Sequence, residues 1–461
     1  MDDRLFTNKD LRAMIIPLFV EQFLLLLVGI ADTFVVSFVG DSAVSGVSLV
    51  NSFNTVIIFL FSALASGGAV IISQYIGSRD NVQAGKAASQ LLMFSAVSSV
   101  CVSALILIFT RPLLNLLFGR VEDDVMAACV EYMCITACSF PALAVYNAGA
   151  AMCRSVGRAD VSMYISTFAN AVNIIGNIIG VFALKAGVAG VAYPSLAARV
   201  ISAVAITLYC FMHKKTPVRY TLSGIFAWHG SLLKKVLGIA VPNGVENGVH
   251  QLVKVALSSM VAQFGTYQIA ATGVSQSIWS LAALMGMAMA PVYTTVIGRC
   301  MGAGDTDAAN HYFKKLNKLT FILSLAWNAA VFAMTPLFLK FFAISDEAKH
   351  LALIMVLINN AINAFAYTFA GPLGNGLRAA GDVKFTMTVS VVLTIAARLF
   401  FSALFGLWLN MGAVGVAIGT SMDLLFRGAI FFVRYKKQKW TEFKLCLLYT
   451  SPSPRDRSVS R

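Results

Sequence analysis

The chain has 461 residues, 58% of them hydrophobic and only 12% charged; that is about half the charged fraction of a soluble domain and excludes a soluble globular protein. A formal charge of +14 invites a nucleic-acid reading, but the basic residues fall in short loops and at the chain ends, with no basic stripe carrying interleaved aromatics, so no nucleic-acid partner is expected. The eight cysteines (Cys101, Cys129, Cys134, Cys138, Cys153, Cys210, Cys300, Cys446) lie mostly in apolar segments; Cys134 and Cys138 share a helix face, yet no histidine or further cysteine completes a metal set, and all are read as packing residues.

The N-terminal MDDRLFTNKDLR is polar, and the apolar stretch after it is too long for a signal-peptide core, so the first helix is expected in the mature protein. Apolar stretches that can span a hydrocarbon core recur along the chain, and in lipid they must be helices; the alternating segments of a β-barrel are absent from the sequence. The predicted fold class is an all-α integral membrane protein with twelve transmembrane helices. The spans are 14–38, 47–72, 88–110, 127–150, 160–184 and 188–211, then 237–262, 270–297, 316–340, 349–373, 384–408 and 412–434. This divides the chain into an N-lobe (14–211) and a C-lobe (237–434). Residues 1–13, 212–236 and 435–445 form the ends and the central connection. The ends and even-numbered connections hold about 22 Lys and Arg, against about 5 in the odd-numbered ones, which places both termini in the cytoplasm. Lys214, Lys215, Arg219, Lys234 and Lys235 crowd the central connection.

A charge inside a spanning helix costs about 2.5–3.5 kcal/mol, so each one calls for a role. In helix 1, Asp32 stands in LLLLVGIADTFVVSFVG with no basic residue within four positions. A lone carboxylate there suits proton or sodium binding, since neutralising it removes the burial cost; the alternative is an ion pair with an arginine of a neighbouring helix. Helix 5 carries Asn173 and Asn177 on one face, and helix 6 carries Ser195. These groups offer oxygen ligands to a hard cation, although they are also common interhelical hydrogen-bonders. On helix 7, Glu246, His250 and Lys254 follow at i+4 spacing as one polar stripe, which either runs along a cleft or neutralises itself. Helix 10 adds Asn359, Asn360, Asn363 and Tyr367. Asp423 and Arg427 pair on helix 12, while Arg199 and Arg398 lack an evident local partner. Met285, Met287, Met289, Trp279, Tyr293 and Phe365 either line an adaptable apolar cleft or pack against lipid and other helices. At the end of the chain, Cys446 to Asp456 reads CLLYTSPSPRD, which looks like a one-frame translation of a transposase sequencing adapter; residues 446–461 are therefore set aside as non-native.

The chain repeats itself. Pro17 and Glu21 recur as Pro242 and Glu246, 225 residues later. Gly77 and Asp80 recur as Gly302 and Asp305, and Gly187, Gly190, Val191 and Ala192 as Gly412, Gly415, Val416 and Ala417. Arg154 and Gly157 recur as Arg378 and Gly381, one residue out of step. Six helices per repeat is an even number, so the two bundles are parallel repeats about an axis along the membrane normal, a geometry suited to alternating access. Asp32 aligns with Leu257, so the halves differ in chemistry.

Pro17-x3-Glu21 followed by VGIADTFVVSFVG, together with SQYIGSRD, CRSVGRAD, GVAGVA, LRAAGD and GAVGVA, resembles the multidrug and toxic compound extrusion (MATE) family over residues 10–440. The resemblance implies a V of two six-helix lobes exporting cationic, amphipathic molecules against a proton or sodium gradient, with no other cofactor. It matches Asp32 to the family's helix 1 carboxylate, Asn173 to its helix 5 asparagine and Ser195 to a position where threonine is frequent. Asn177 departs from the aspartate of many bacterial members. Glu246 resembles the helix 7 glutamate of one branch, whose helix 10 aspartate is replaced by an amide, Asn363. Proton coupling through Asp32 is favoured, with sodium at Asp32, Asn173 and Asn177 as the alternative. Glu21, Glu246, His250 and Lys254, with Asn359, Asn363 and Tyr367, are the candidate polar residues of the substrate cleft and second lobe. The expected setting is a monomer crossing a bacterial inner membrane many times. A lipid-linked saccharide flippase of the same broad superfamily is the rival function and would need more basic residues than Lys254, Arg199 and Arg398 to hold a diphosphate. An enzyme is not expected, because no cluster has acid–base or metal spacing.

Overall fold

A computed structural model describes residues 5–119, 122–213, 218–342 and 344–443; Lys214, Lys215 and the 446–461 tail lie outside the described residues. No strand occurs among the described residues. Among the described residues, six long helices form the first lobe: α1 (Asn8–Ser37), α2 (Asp41–Gly77), α3 (Asn81–Ile108), α4 (Asp123–Ser155), α5 (Ala159–Ala183) and α6 (Ala189–Met212). Six more form the second: α7 (Gly230–Val261), α8 in two limbs (Thr266–Ala282 and Leu284–Gly302) bent by 41°, α9 (Thr306–Phe341), α10 (Asp346–Ala380), α11 (Val383–Trp408) and α12 (Gly412–Lys436).

Among the described residues, ten of these helices are long and apolar enough to cross a bilayer, and the bent α8 makes eleven. The remaining one, α7, has the length, 32 residues, but Asn243, Glu246, Asn247, His250 and Gln251 interrupt its apolar run. At several ends, those of α1, α3 and α9 among them, the helices start before the predicted spans, because polar residues cap them outside the hydrocarbon core. Thr7 and Asp10 form a reciprocal capping box at the start of α1. Asp80 accepts from the Gln83 amide at 3.0 Å and Asp305 from the Ala308 amide at 2.7 Å. The repeated Gly-x-x-Asp motif thus ends one helix and starts the next in both lobes.

The one-residue slip in the repeat has a physical seat. α5 and α11 begin 224 residues apart, at Ala159 and Val383. Both end in a π-helical turn, and these turns (Ile179–Ala183 and Leu404–Trp408) begin 225 residues apart. Only α11 has a second π turn, Leu393–Arg398. A π turn absorbs one inserted residue without breaking the helix. At the end of that turn, Arg398 takes the place that Asn173 holds in α5.

The lobes meet at the end of the bundle that carries both termini, and the contact obeys the repeat. α2 and α8 cross where Gly77 lies against the Arg299 backbone and Gly302 against the Gln74 backbone; a Cβ at either glycine would collide with the opposing main chain. Gln74 and Arg299 are repeat equivalents, and each reaches into the other lobe. Gln74 Nε2 donates to the Ala379 carbonyl at 2.8 Å, and Arg299 Nε to the Ser155 carbonyl at 3.0 Å. Those carbonyls cap the ends of α10 and α4, just before the left-handed glycines Gly381 and Gly157. Phe6 fastens the same corner: its ring faces the Arg299 guanidinium at 5.4 Å, and its backbone exchanges two 2.8 Å hydrogen bonds with Tyr312 of α9. Along α7 the contact then thins. A Cβ at Gly67 would lie 2.8 Å from the Val236 carbonyl, and one at Gly244 would lie 4.0 Å from Ala63. At Gly248, one turn on, nothing lies within 4 Å. The V is therefore shut at the terminal end and opens away from it.

Candidate functional site

In the first lobe, the structure brings Asp32, Asn173, Asn177 and Ser195 into one chain of hydrogen bonds. Asn177 Nδ2 donates to Asp32 Oδ1 at 2.5 Å and to Asn173 Oδ1 at 3.3 Å. Asn173 Nδ2 donates to Ser195 Oγ at 2.8 Å, and Ser195 back-bonds to the Val191 carbonyl of α6 at 3.1 Å. The i, i+4 spacing on α5 puts both amides on one face, and Gly176 and Gly180 on that helix let α6 approach it closely. Asn173 and Asn177 are buried, while Asp32 is half-buried. Asp32 also faces a cavity of about 90 Å³ lined by Thr33, Ser48, Asn51, Tyr132 and small apolar residues of α1, α2 and α6, room for a few waters or a small hydrated cation. Asn51 and Tyr132, absent from the sequence reading, are joined there at 3.2 Å.

No carboxylate lies within 4 Å of Arg199 among the described residues; its Nη1 donates to Ser139 Oγ at 2.6 Å. Asp32 and Tyr132 are the ionisable groups that share its electrostatic field. Asp32 is therefore held by an amide, and the arginine stands off as a second neighbour.

Glu21 lies inside the first lobe rather than on the cleft. It is 2% exposed, accepts from Ser162 at 3.0 Å and Tyr146 at 3.2 Å, and sits 3.8 Å from Arg154. Its repeat partner Glu246 forms a two-pronged pair with Arg378 at 2.6 and 2.8 Å. The duplicated glutamates and duplicated arginines thus meet each other in both lobes. Glu246 is spoken for by another helix, so the α7 stripe does not neutralise itself. His250 Nδ1 meets Thr394 of α11 at 3.1 Å, and Lys254 is exposed.

Asp423 binds Arg427 on its own helix, as expected, and also Arg398 of α11 at 2.9 Å; Arg398 thereby gains the partner that its local sequence lacks. Arg427 in turn stands 4.0 Å from Glu246. Asn359 links Ser275 at 3.3 Å and Ser421 at 3.2 Å, and buried Asn363 donates to Asn328 at 2.9 Å. Tyr367 packs edge-on to Trp279 and against Gly286, where any side chain would strike its ring. Of the candidate apolar lining, Met285, Met289 and Tyr293 are buried, with Tyr293 bonded to Asn317 at 2.7 Å. Met287 and Phe365 are exposed.

A family model described as MatE matches the chain twice, at residues 17–179 and 242–404, the same 225-residue offset as the repeated prolines. An uncharacterized transporter of Bacillus subtilis, YisQ, is 27% identical over 92% of this chain and 93% of its own. A probable multidrug resistance protein NorM of Thermotoga maritima is 22% identical over 94% and 93%. The outward-facing structure of a multidrug resistance MATE family transporter superposes with a TM-score of 0.86 at 21% identity, over 93% of this chain and 95% of that one. Two six-helix lobes, joined by a duplicated crossing and matching one family model twice, place this chain in the MatE family of efflux transporters, which are not enzymes.

Proposed function

We propose that this protein is a proton-coupled antiporter that exports cationic or amphipathic small molecules across a bacterial inner membrane. In this reading it acts as a monomer with both termini in the cytoplasm. The observation that carries the coupling is the single carboxylate of Asp32 at the end of a buried amide chain, open to a small polar cavity. Proton binding removes a charge whose burial is costly. Sodium would need several oxygens turned on one point, whereas Asn177 and Asn173 present N–H donors to Asp32 and Ser195. Protonation withdraws the acceptor charge from Asn177 and loosens the α1–α5 contact. The two states of the lobe then differ in affinity for substrate, as transport requires.

The relatives named as multidrug resistance proteins support drug export as the substrate class. Against the flippase reading, Arg398 is committed to Asp423 and Arg199 to Ser139, which leaves Lys254 exposed from that set. Cationic-dye efflux from pump-deficient bacteria tests the proposal. Efflux is expected to stop with Asp32→Asn and with a protonophore, and to persist without sodium. Wild-type efflux by Asp32→Asn with unchanged ion dependence would rule out coupling through this residue. Rescue of a cell-envelope defect without dye efflux would favour the flippase.

A further inference from the structure

The interior of the second lobe holds five ionisable side chains in unbroken sequence: Arg378, Glu246, Arg427, Asp423 and Arg398. They come from α7, α10, α11 and α12; Glu246, Arg398, Asp423 and Arg427 lie well inside their helices, and Arg378 reaches them from two residues before the end of α10. Three guanidiniums face two carboxylates, so the cluster carries one positive charge in excess. His250, beside it, is tied to Thr394, and Lys254, one turn further along α7, is exposed; neither supplies a negative charge. An uncompensated charge at this depth costs about 2.5–3.5 kcal/mol. The Nε atoms of Arg378, Arg398 and Arg427 are all buried without an acceptor, and the Arg427 side chain is only 7% exposed. Arg378, Glu246 and Arg398 retain 12–14% of their side-chain surface, so the cluster is not sealed within the lobe.

We propose that this cluster is a binding site for a monovalent anionic group, a halide or a carboxylate, in the lobe opposite the cation site. Charge count sets the valence: one excess positive charge is matched by a monoanion, and a diphosphate would overload it. Unused N–H donors set the chemistry, since guanidinium groups take halides and carboxylates through such hydrogen bonds. Arg398 is the residue that makes the difference, because the repeat places it where the first lobe has the neutral Asn173. Removing its charge balances the cluster while leaving the Arg378–Glu246 and Arg427–Asp423 pairs intact. The proposal is independent of which cation drives transport and of which molecules are exported.

The test is ligand-dependent thermal stability of the full-length protein in nanodiscs, at constant sodium, pH and ionic strength. Chloride and acetate are compared with tetrafluoroborate, a monoanion that accepts hydrogen bonds poorly. The wild type is expected to gain several degrees, saturably, with chloride or acetate, and Arg398→Gln is expected to lose that response. Arg199→Gln, which leaves the second lobe untouched, is the control and keeps it. The source of the anion is read with a xanthylium dye bearing a free carboxylate and with its methyl ester. Competition of the free acid alone with chloride assigns the site to a substrate carboxylate, and no competition by either dye assigns it to a free anion. Anion-independent stability in the wild type, or a response that survives Arg398→Gln in a folded protein, overturns the proposal. Efflux is not the readout, so this outcome is separable from failure of the export reading.

Discussion

The two lobes share one frame and differ in the charge they hold inside it. Both keep a proline and a glutamate one turn apart on the first helix, a glutamate–arginine contact, an Asp cap and a crossing glycine. The first lobe balances Glu21 and Asp32 against Arg154 and Arg199. The second has Leu257 in place of Asp32 and Arg398 in place of Asn173, and its arginines outnumber its carboxylates. Duplication has preserved what assembles the lobes and released what fills them. The largest effect expected from this contrast is functional. Asp32→Asn should abolish dye efflux, and adding Leu257→Asp should not restore it, because Leu257 packs among apolar side chains and Ser402 stands where the first lobe has Asn177, so the new carboxylate would find no amide chain. Restoration in the double variant would show the lobes to be interchangeable.

The glutamate–arginine contacts sharpen the comparison in stability. Glu246 is held by Arg378 through two short bonds, and Glu21 by Arg154 at 3.8 Å with hydroxyl donors around it. Removing one partner of a buried pair costs about 3–5 kcal/mol; losing weaker hydrogen bonds costs about 1–3 kcal/mol. Glu246→Gln is therefore expected to lower the unfolding temperature more than Glu21→Gln, measured side by side in the same detergent. The reverse order would mean that the wider contact is the stronger one.

The fold was legible because lipid imposes a simple rule on sequence: long apolar runs are helices, and an even repeat fixes the relation of the halves. Asp32, Asn173, Asn177 and Ser195 could be named for a similar reason, since a polar group in such a run stands out. Their partners were harder to read. Arg378 was visible only as a repeat anchor, and nothing in the linear chain joined it to Glu246, which lies 132 residues away. Tyr132, Asn51, Tyr146 and Ser162 are ordinary residues that gain meaning only from the cavity or carboxylate beside them. Gln74 and Arg299 did carry a signal, since each sits three residues before a duplicated glycine. Reading it needed the knowledge that the two glycines face each other.

The crossing offers the next test. A Cβ at Gly302 collides with backbone, which cannot move aside as a side chain can. Gly302→Ala should cost about 1–3 kcal/mol and loosen the closed end, whereas Gly273→Ala, with nothing within 4 Å, should be neutral or gain up to about 1 kcal/mol of helix propensity. Equal effects at the two sites, by thermal unfolding, would show that the crossing is not tightly packed.

The smallest effect concerns the two side chains that bridge the lobes there. Arg299 offers a charged donor to the Ser155 carbonyl and Gln74 a neutral one to Ala379. Charged hydrogen bonds contribute about 1.5–3 kcal/mol and neutral ones about 0.5–1.5, so the pseudosymmetric clasp is stronger on one side by about 1 kcal/mol. Arg299→Gln removes that difference and also the contact with the Phe6 ring. A shift of about 1 kcal/mol is roughly a fivefold change in population, toward the state open at the terminal end. Spin labels on the ends of α2 and α8 would report it as a growing long-distance fraction. Gln74→Arg should shift the population the other way, and if both substitutions moved it in the same direction, the clasp would be a passive contact and the conformational balance would lie elsewhere in the lobes.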